Sequence, residues 1–244
     1  MNSQNPILNR VEMYATPQDP MTIGGAIQKS VILTSVASAF AVALFFFFAL
    51  TGNAGAAGLA SIIGIVVSFI LALVVTFKPQ YAPTLGIPYA LFEGCFLAGV
   101  SYYYQAKFPG VPMMALLATV VTAGVMLALY KARIIRATEK FKSVVISATI
   151  AIAIVFVLQI ILSLIFSSSI PGLFENTWLG IGFAAFVAII ASLNLILDFD
   201  LVENFAAQSA PKYTEWLCGI SILATLVWMY VSFLRLIGFL SSDD

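Results

Sequence analysis

Seven long apolar stretches constrain this chain more than any other feature of its sequence. A bilayer core about 30 Å thick is crossed by about 20 helical residues, and each stretch is about that long. The polar or Gly/Pro-rich breaks between them are too short to hold a further domain. The predicted spans are 31–51, 57–77, 86–106, 113–130, 143–167, 178–200 and 214–240.

The composition indicates that these stretches face lipid. Apolar residues make up 61% of the 244 residues and charged residues 9%, against about 45–50% and 25% in soluble domains. Spanning β-strands show alternating polarity over about ten residues, whereas these stretches are continuously apolar. We therefore predict an all-α, polytopic seven-helix bundle in the lipid bilayer. Residues 31–240 form its single domain, flanked by a cytoplasmic segment 1–30 and a tail 241–244.

Several classes of function are disfavoured by the residue content. The 11 basic and 11 acidic residues balance, so no global field attracts nucleic acid. Histidine is absent, which removes the usual metal ligand and general base, and no catalytic motif is present. Cys95 and Cys218 lie in apolar stretches and are expected to pack as small hydrophobes. The sequence predicts neither an enzyme nor a bound cofactor.

The distribution of Lys and Arg predicts the orientation, since cytoplasmic loops are enriched in both. A cytoplasmic N-terminus and an external C-terminus put nearly all basic loop residues inside. The basic run 131–142 is also expected to attract anionic headgroups. The inside set is Arg10, Lys29, Lys78, Lys131, Arg133, Arg136, Lys140, Lys142 and Lys212, against Lys107 outside.

Glu93 is an acidic residue well inside the third predicted span. An ionisable group at that depth is costly, so it is expected to face the bundle interior or a water-filled cavity. Ala90, Gly94 and Ala98 form a row of small residues that lets a neighbouring helix approach closely. Glu93 is therefore either an ion or proton site or a hydrogen-bond partner of that neighbour.

A second group of polar residues lies at the end of the sixth span. Asn194 and Asp198 share one helix face, while Asp200 and Glu203 share another. Asp200 and Glu203 are most simply explained as solvated interface residues. Asp198 follows three apolar residues and is the stronger candidate for a functional acid.

Glu93 and Asp198 are predicted to lie at similar depth, because the third span begins and the sixth ends on the same side. Two carboxylates sharing a site of low dielectric cannot both ionise easily, so one would stay protonated. This arrangement would sense pH without histidine. When both are ionised, their oxygens and that of Asn194 could serve as calcium ligands.

The sequence resembles bacterial members of the Bax inhibitor-1 family, the transmembrane Bax inhibitor motif proteins. The similarity runs from Asn5-Pro6 to the end, and three segments carry it: residues 89–101 around Glu93-Gly94, residues 197–202 around Asp198, and Leu234-Arg235 ahead of the tail. It implies a bundle with a central last helix and a pH-sensitive calcium leak across a bacterial inner membrane. An alternative from some relatives is a non-transporting regulator that contacts membrane proteases or the cell-survival machinery.

The resemblance also implies an aspartate pair, one on the sixth helix and one on the seventh, whose protonation gates the pore. Asp198 matches the first aspartate. The second falls on Thr225, or less favourably on Ser232, and both are uncharged. Glu93 is therefore proposed as the substitute acid. Asp200, Glu203, Ser232 and Arg235 remain secondary candidates.

Overall fold

The computed structural model describes residues 20–166 and 170–242, which form seven α-helices. Arg10 of the predicted inside set, residue 167 of the fifth predicted span and the tail residues Asp243 and Asp244 lie outside the described residues. A short 3-10 turn, Pro79–Tyr81, precedes α3. The helices are α1 Ile23–Thr51, α2 Ala54–Phe77, α3 Ala82–Lys107, α4 Val111–Lys131, α5 Glu139–Phe166, α6 Trp178–Ala207 and α7 Thr214–Leu240.

All seven helices are long and apolar enough to cross a membrane, which confirms the predicted all-α polytopic bundle. The extended pairing in the described part of the chain is one isolated bridge between Pro20 and Pro211. The bounds of α7 agree with the predicted span. In contrast, α1 begins at Ile23 rather than at 31, and α6 continues to Ala207 rather than ending at 200.

Short polar residues and glycines determine where the helices begin and end. The side chains of Thr22, Asn53 and Thr177 each accept a hydrogen bond from a backbone N–H three residues on, and so cap α1, α2 and α6. Gly52 (φ 62°) follows the end of α1 and Gly110 (φ 91°) precedes α4, both with a left-handed backbone conformation. The cap at Thr22 explains the early start of α1, which apolar patterning does not mark.

Helix α7 lies in the middle of the bundle. It packs against α1, α3, α4 and α6, whereas α2 packs mainly on α3, and α5 mainly on α6. Leu223 of α7 is buried against α1 and α3, and Met229 against α6. The outer faces carry large exposed apolar side chains such as Phe69 and Ile154, as expected where lipid is the solvent. The last helix is therefore central, as the resemblance implied.

The helices alternate in direction, so the beginnings of α1, α3, α5 and α7 meet at one end of the bundle. This end also holds the basic run 131–142 and is termed the basic end. The opposite end carries Lys107, the last residue of α3. Which end faces the cytoplasm stays a prediction.

The row of small residues on α3 brings α1 into close contact, as predicted. A Cβ added to Gly94 would lie 2.8 Å from the carbonyl oxygen of Ala37 on α1 and 3.2 Å from the Phe40 side chain. Backbone on one side of this contact cannot move aside as a flexible side chain could. The tight α1–α3 interface therefore depends on the absence of a side chain at Gly94.

We expect Gly94→Ala to lower the free energy of unfolding by about 1–3 kcal/mol, because the added methyl group overpacks a helix interface. Gly124→Ala is the matched control, since a Cβ at that helical position would meet no other part of the described chain within 4 Å. The measurement is the apparent melting temperature of each purified variant in one detergent. Equal melting temperatures for the two variants would contradict the packing described for α1 and α3.

Candidate functional site

Asp198 lies inside the bundle on the face of α6 that meets α7. Its side chain is buried, with 8% exposure, and it is nine residues, or about 14 Å, before the end of α6 at Ala207. The hydroxyl of Ser221 on α7 donates a hydrogen bond of 2.6 Å to Asp198 Oδ1. Because α6 is longer than predicted, Asp198 is further from the helix end than the sequence suggested.

The second carboxyl oxygen of Asp198 is less well satisfied. Oδ2 is buried and has no hydrogen-bond partner among the described residues. The Thr225 hydroxyl also interacts with this carboxyl group but does not complete a hydrogen bond to Oδ2 with normal geometry. A buried polar atom without a partner costs about 1–3 kcal/mol, and more when it carries charge. A proton or a cation at Oδ2 would remove that cost.

The residue facing Asp198 on α7 differs in part from the prediction. Thr225 is close to Asp198, as expected for the uncharged counterpart of the family's second acid, but Ser221 makes the direct hydrogen bond. Ser221 precedes Thr225 by four residues and so shares its helix face, the signal that could have identified it. Ser232 is elsewhere, and its hydroxyl donates to the carbonyl oxygen of Trp228 on the same helix.

Asn194, one turn before Asp198, contacts a different helix through its amide nitrogen. Its amide nitrogen donates to the Thr149 hydroxyl on α5 at 2.9 Å and to the Ile190 carbonyl at 2.8 Å. That Asn194 adds a cation ligand beside Asp198 stays a prediction, because these contacts use the amide nitrogen and not the oxygen that a cation would bind. Its observed contact ties α5 to α6.

Glu93 is buried in a different interface, between α2 and α3. Its carboxyl group, with 8% exposure, interacts with the hydroxyls of Tyr89 on α3 and Ser68 on α2. The two helices approach closely here, because a Cβ on Gly64 of α2 would meet the α3 backbone at Phe96. The hydrogen-bonding alternative for Glu93 fits these contacts in kind, but the partner helix is α2 and not α1, which packs on Gly94.

The structure does not bring Glu93 and Asp198 together. Asp198 interacts with groups on α7, Glu93 interacts with groups on α2 and α3, and α3 and α6 form no packed interface. The predicted site with a shared proton, or with calcium held between these two acids, is not present in this arrangement. Within the described residues, no three acidic or cysteine side chains cluster as metal ligands.

Asp200 and Glu203 form ion pairs at the basic end and stay partly exposed, with side-chain exposures of 20% and 39%. Asp200 Oδ2 is 2.8 Å from Lys142 Nζ. Glu203 Oε2 accepts a 2.9 Å hydrogen bond from the Tyr130 hydroxyl and lies 3.4 Å from Arg133 Nη2. The sequence did not predict these partners, which lie before, within and after the loop from α4 to α5. Two cations of the basic run thus hold this loop to α6.

A third buried acid, Glu215, joins the beginnings of α1 and α7. Its side chain has 2% exposure and accepts hydrogen bonds from the Thr22 backbone N–H (3.0 Å) and hydroxyl (3.1 Å). Lys212 Nζ lies 3.1 Å from the same oxygen, Oε1. Gly25 packs directly on the carboxylate, since a Cβ there would collide with it. A negative charge at the N-terminus of α1 also complements the helix dipole.

Cys218 of α7 is close to two of the buried acids, Glu215 on the same helix and Asp198 on α6. It has 1% exposure and lies within electrostatic reach of both Asp198 and Glu215. Asp198 therefore lies just inside the closed contact that Glu215 makes at the basic end.

Arg235 lies near the opposite end of α7, away from Asp198. Its Nη2 donates a 2.7 Å hydrogen bond to the Leu173 carbonyl in the connection between α5 and α6, while Nη1 is buried without a partner among the described residues. The guanidinium is surrounded by aromatic rings, an arrangement that stabilises a desolvated cation. The ring centroids lie 4.4 Å away for Phe174, 5.3 Å for Phe239, 5.5 Å for Phe183 and 6.0 Å for Phe156.

Comparison with known proteins gives one match. A family model described as Bax inhibitor 1 like matches residues 5–242, nearly the whole chain. No curated protein and no solved structure matches the chain.

We expect Glu215→Gln to lower the free energy of unfolding by about 1–3 kcal/mol, because the amide loses the ion pair and weakens charge-assisted bonds from Thr22. The control is Glu139→Gln. The Glu139 side chain is 93% exposed and pairs with Lys142 at 3.5 Å, and exposed ion pairs contribute little to stability. Thermal unfolding in detergent compares the two. A melting temperature for Glu215→Gln equal to that of Glu139→Gln would mean that the α1–α7 contact does not stabilise the bundle.

Proposed function

The chain belongs to the Bax inhibitor 1 like family, and from that premise we propose that it passes cations, calcium first among them, across the membrane under control of protonation at Asp198. Its seven apolar helices and its family identify it as an integral membrane protein. The observation that carries the proposal is the unpartnered, buried Oδ2 of Asp198.

An ionised carboxyl group in this position is stabilised when it binds a proton or a cation. Intramembrane acids are rare and costly, and they mark ion paths or proton relays. Ser221 satisfies one oxygen of Asp198, which leaves Oδ2 for either a proton or a cation. Protons and cations therefore compete for the same oxygen, and this competition makes cation passage depend on pH.

The ligands at this site suit transient binding of a hard cation. Calcium takes about six to eight oxygen ligands, whereas Asp198, Ser221 and Thr225 offer one carboxylate and two hydroxyls. A cation must bind well enough to enter and weakly enough to leave if it is to be conducted. A small oxygen site meets that requirement, and it also accepts hard cations other than calcium.

The site replaces the aspartate pair that the family resemblance implied with one aspartate and two hydroxyls. Two coupled acids release their protons in two macroscopic steps, whereas a single acid releases its proton in one. Three charged or titratable groups on the packed helices have other partners: Glu215 contacts Thr22, Tyr130 contacts Glu203 and Lys142 contacts Asp200. On α1, Lys29 lies over the Trp216 ring, and on α7 Cys218 adds a thiol.

Separation of α6 from α7 at Asp198 is the movement by which protonation would control passage. The Ser221 hydrogen bond holds these helices together beside the acid, and the Glu215 contact closes the basic end next to it. Ionisation without a counter-ion makes this packing costlier and so favours opening. Flux is therefore proposed to rise as pH rises through the titration of Asp198.

We expect Asp198→Asn to remove most of the pH dependence of calcium flux, because an amide copies the shape of the protonated acid and does not titrate. Ser221→Ala should keep the pH dependence and move its midpoint to higher pH, because the ionised carboxylate loses a donor. Asp200→Asn is the matched control on the same helix, since Asp200 faces Lys142. The measurement is calcium-indicator fluorescence in liposomes between about pH 5 and 8, where a buried carboxyl group can titrate.

Purified wild-type protein that makes liposomes no leakier to calcium at any pH would overturn the proposal and favour the non-transporting regulator. Superimposable pH profiles for wild type and Asp198→Asn would instead show that transport occurs but that Asp198 does not control it. Ion substitution in the same liposomes ranks calcium against other cations.

The orientation is part of the proposal: the basic end faces the cytoplasm and the C-terminus lies outside, in the inner membrane of a bacterium. It depends on the concentration of Lys and Arg at the basic end, with Lys107 at the other. A reporter active only in the cytoplasm should therefore be inactive when fused after Asp244 and active when inserted in the loop 132–138. The reverse pattern would mean that the bundle is inverted.

A further inference from the structure

A cavity of about 600 Å³ opens on one side of the bundle, apart from the Asp198 site. Its volume is within the range of about 300–1,000 Å³ of small-molecule sites. Val42 and Phe46 of α1 and Met113 and Val120 of α4 line it and are also exposed on the outer surface. Because α1 and α4 form no packed interface, the opening between them faces the surrounding lipid.

The back of the cavity is formed by the central helix. Leu223 and Val227 of α7 line it, with 2% and 7% exposure. At about 100° per residue these positions are roughly on the opposite face of α7 from Ser221 and Thr225, which meet Asp198. The cavity and the Asp198 site are therefore separated by the thickness of this helix.

Several polar groups around the cavity already have hydrogen-bond partners within the protein. Ser101 and Tyr230 hydrogen-bond each other at 2.7 Å, Thr119 donates to the Ala115 carbonyl, and Gln105 accepts from the Gly110 N–H. The rest of the lining is largely apolar and, in the described residues, includes no charged side chain. Thr34 and Ser38 of α1 add two hydroxyls. Such a wall favours an apolar occupant over water or an ion.

The length of the cavity matches one leaflet. From Phe46 near the opposite end to Thr34 near the middle of the span, α1 lines it over twelve residues, or about 18 Å. Half of a hydrocarbon core about 30 Å thick is about 15 Å. An acyl chain of a lipid in that leaflet can therefore lie along the whole cavity while its headgroup stays at the interface.

We propose that this cavity is a binding site for one acyl chain of a phospholipid, which enters sideways between α1 and α4 from the leaflet at the opposite end of the bundle. The chain fills the space between α1, α3, α4 and α7 and covers apolar surface that no described part of the protein covers. The occupant comes from the bilayer itself, because both edges of the opening are lipid-facing.

The proposal is tested with the full chain in bilayers of phosphatidylcholine that carries a photoactivatable diazirine near the end of one acyl chain. After illumination, mass spectrometry locates the adducts. We expect adducts on the buried lining residues Thr119, Leu223 and Val227 as well as on freely exposed residues such as Val121. Adducts confined to exposed residues would overturn the proposal.

Two variants that fill the cavity give a second test. Ala123→Trp at its inner end and Leu116→Trp at its edge should each abolish adducts at Val227 while keeping those at Val121. Val121→Trp is the control, a tryptophan on the same helix that faces lipid rather than the cavity. Adducts at Val227 that persist in both folded variants, or chain-to-chain crosslinks through the cavity that identify a second copy as the occupant, would overturn the proposal.

Discussion

The packing of α7 against four other helices is the contact on which the rest of the structure depends. In a bilayer the hydrophobic effect does not drive helices together, so close packing and interhelical hydrogen bonds must do so. Gly219 allows α1 to approach near Lys29, and Gly238 allows contact with Tyr104 of α3. Along its length, α7 also makes four polar contacts, each with a different part of the chain. These contacts are Glu215 with Thr22, Ser221 with Asp198, Tyr230 with Ser101 and Arg235 with Leu173.

Much of the fold could be predicted from the sequence, because a bilayer forces each span to be a continuous apolar helix of known length. The seven helices, the bounds of α7 and the close approach at Gly94 follow from that constraint and from side-chain size. The ends of α1 and α6 could not be predicted as well. The predicted span limits depend on the apolar pattern alone. That pattern marks neither the cap at Thr22, where α1 begins, nor the polar residues after Asp198, which still belong to α6.

The candidate site was predicted only in part, for a related physical reason. Depth along a span follows from residue number, so Asp198 and Glu93 were correctly expected to be buried. Which helices face each other is set by packing over the whole bundle, and depth alone does not show it. Glu93 therefore faces Ser68, Asn194 faces Thr149, and Asp198 faces Ser221, a residue that carries no charge to draw notice.

The central position of α7 has a consequence for how the two proposed sites would act together. Thr225 meets the Asp198 carboxyl group, while Leu223 and Val227, two residues away on either side, line the lateral cavity. A helix moves as a rigid rod over so short a distance, because its backbone hydrogen bonds link each turn to the next. A displacement of α7 that separates Ser221 from Asp198 must therefore change the shape of the cavity on the far side. A chain that fills the cavity would resist or favour that displacement according to the state it fits better, and by linkage the ion would change the affinity for the chain equally.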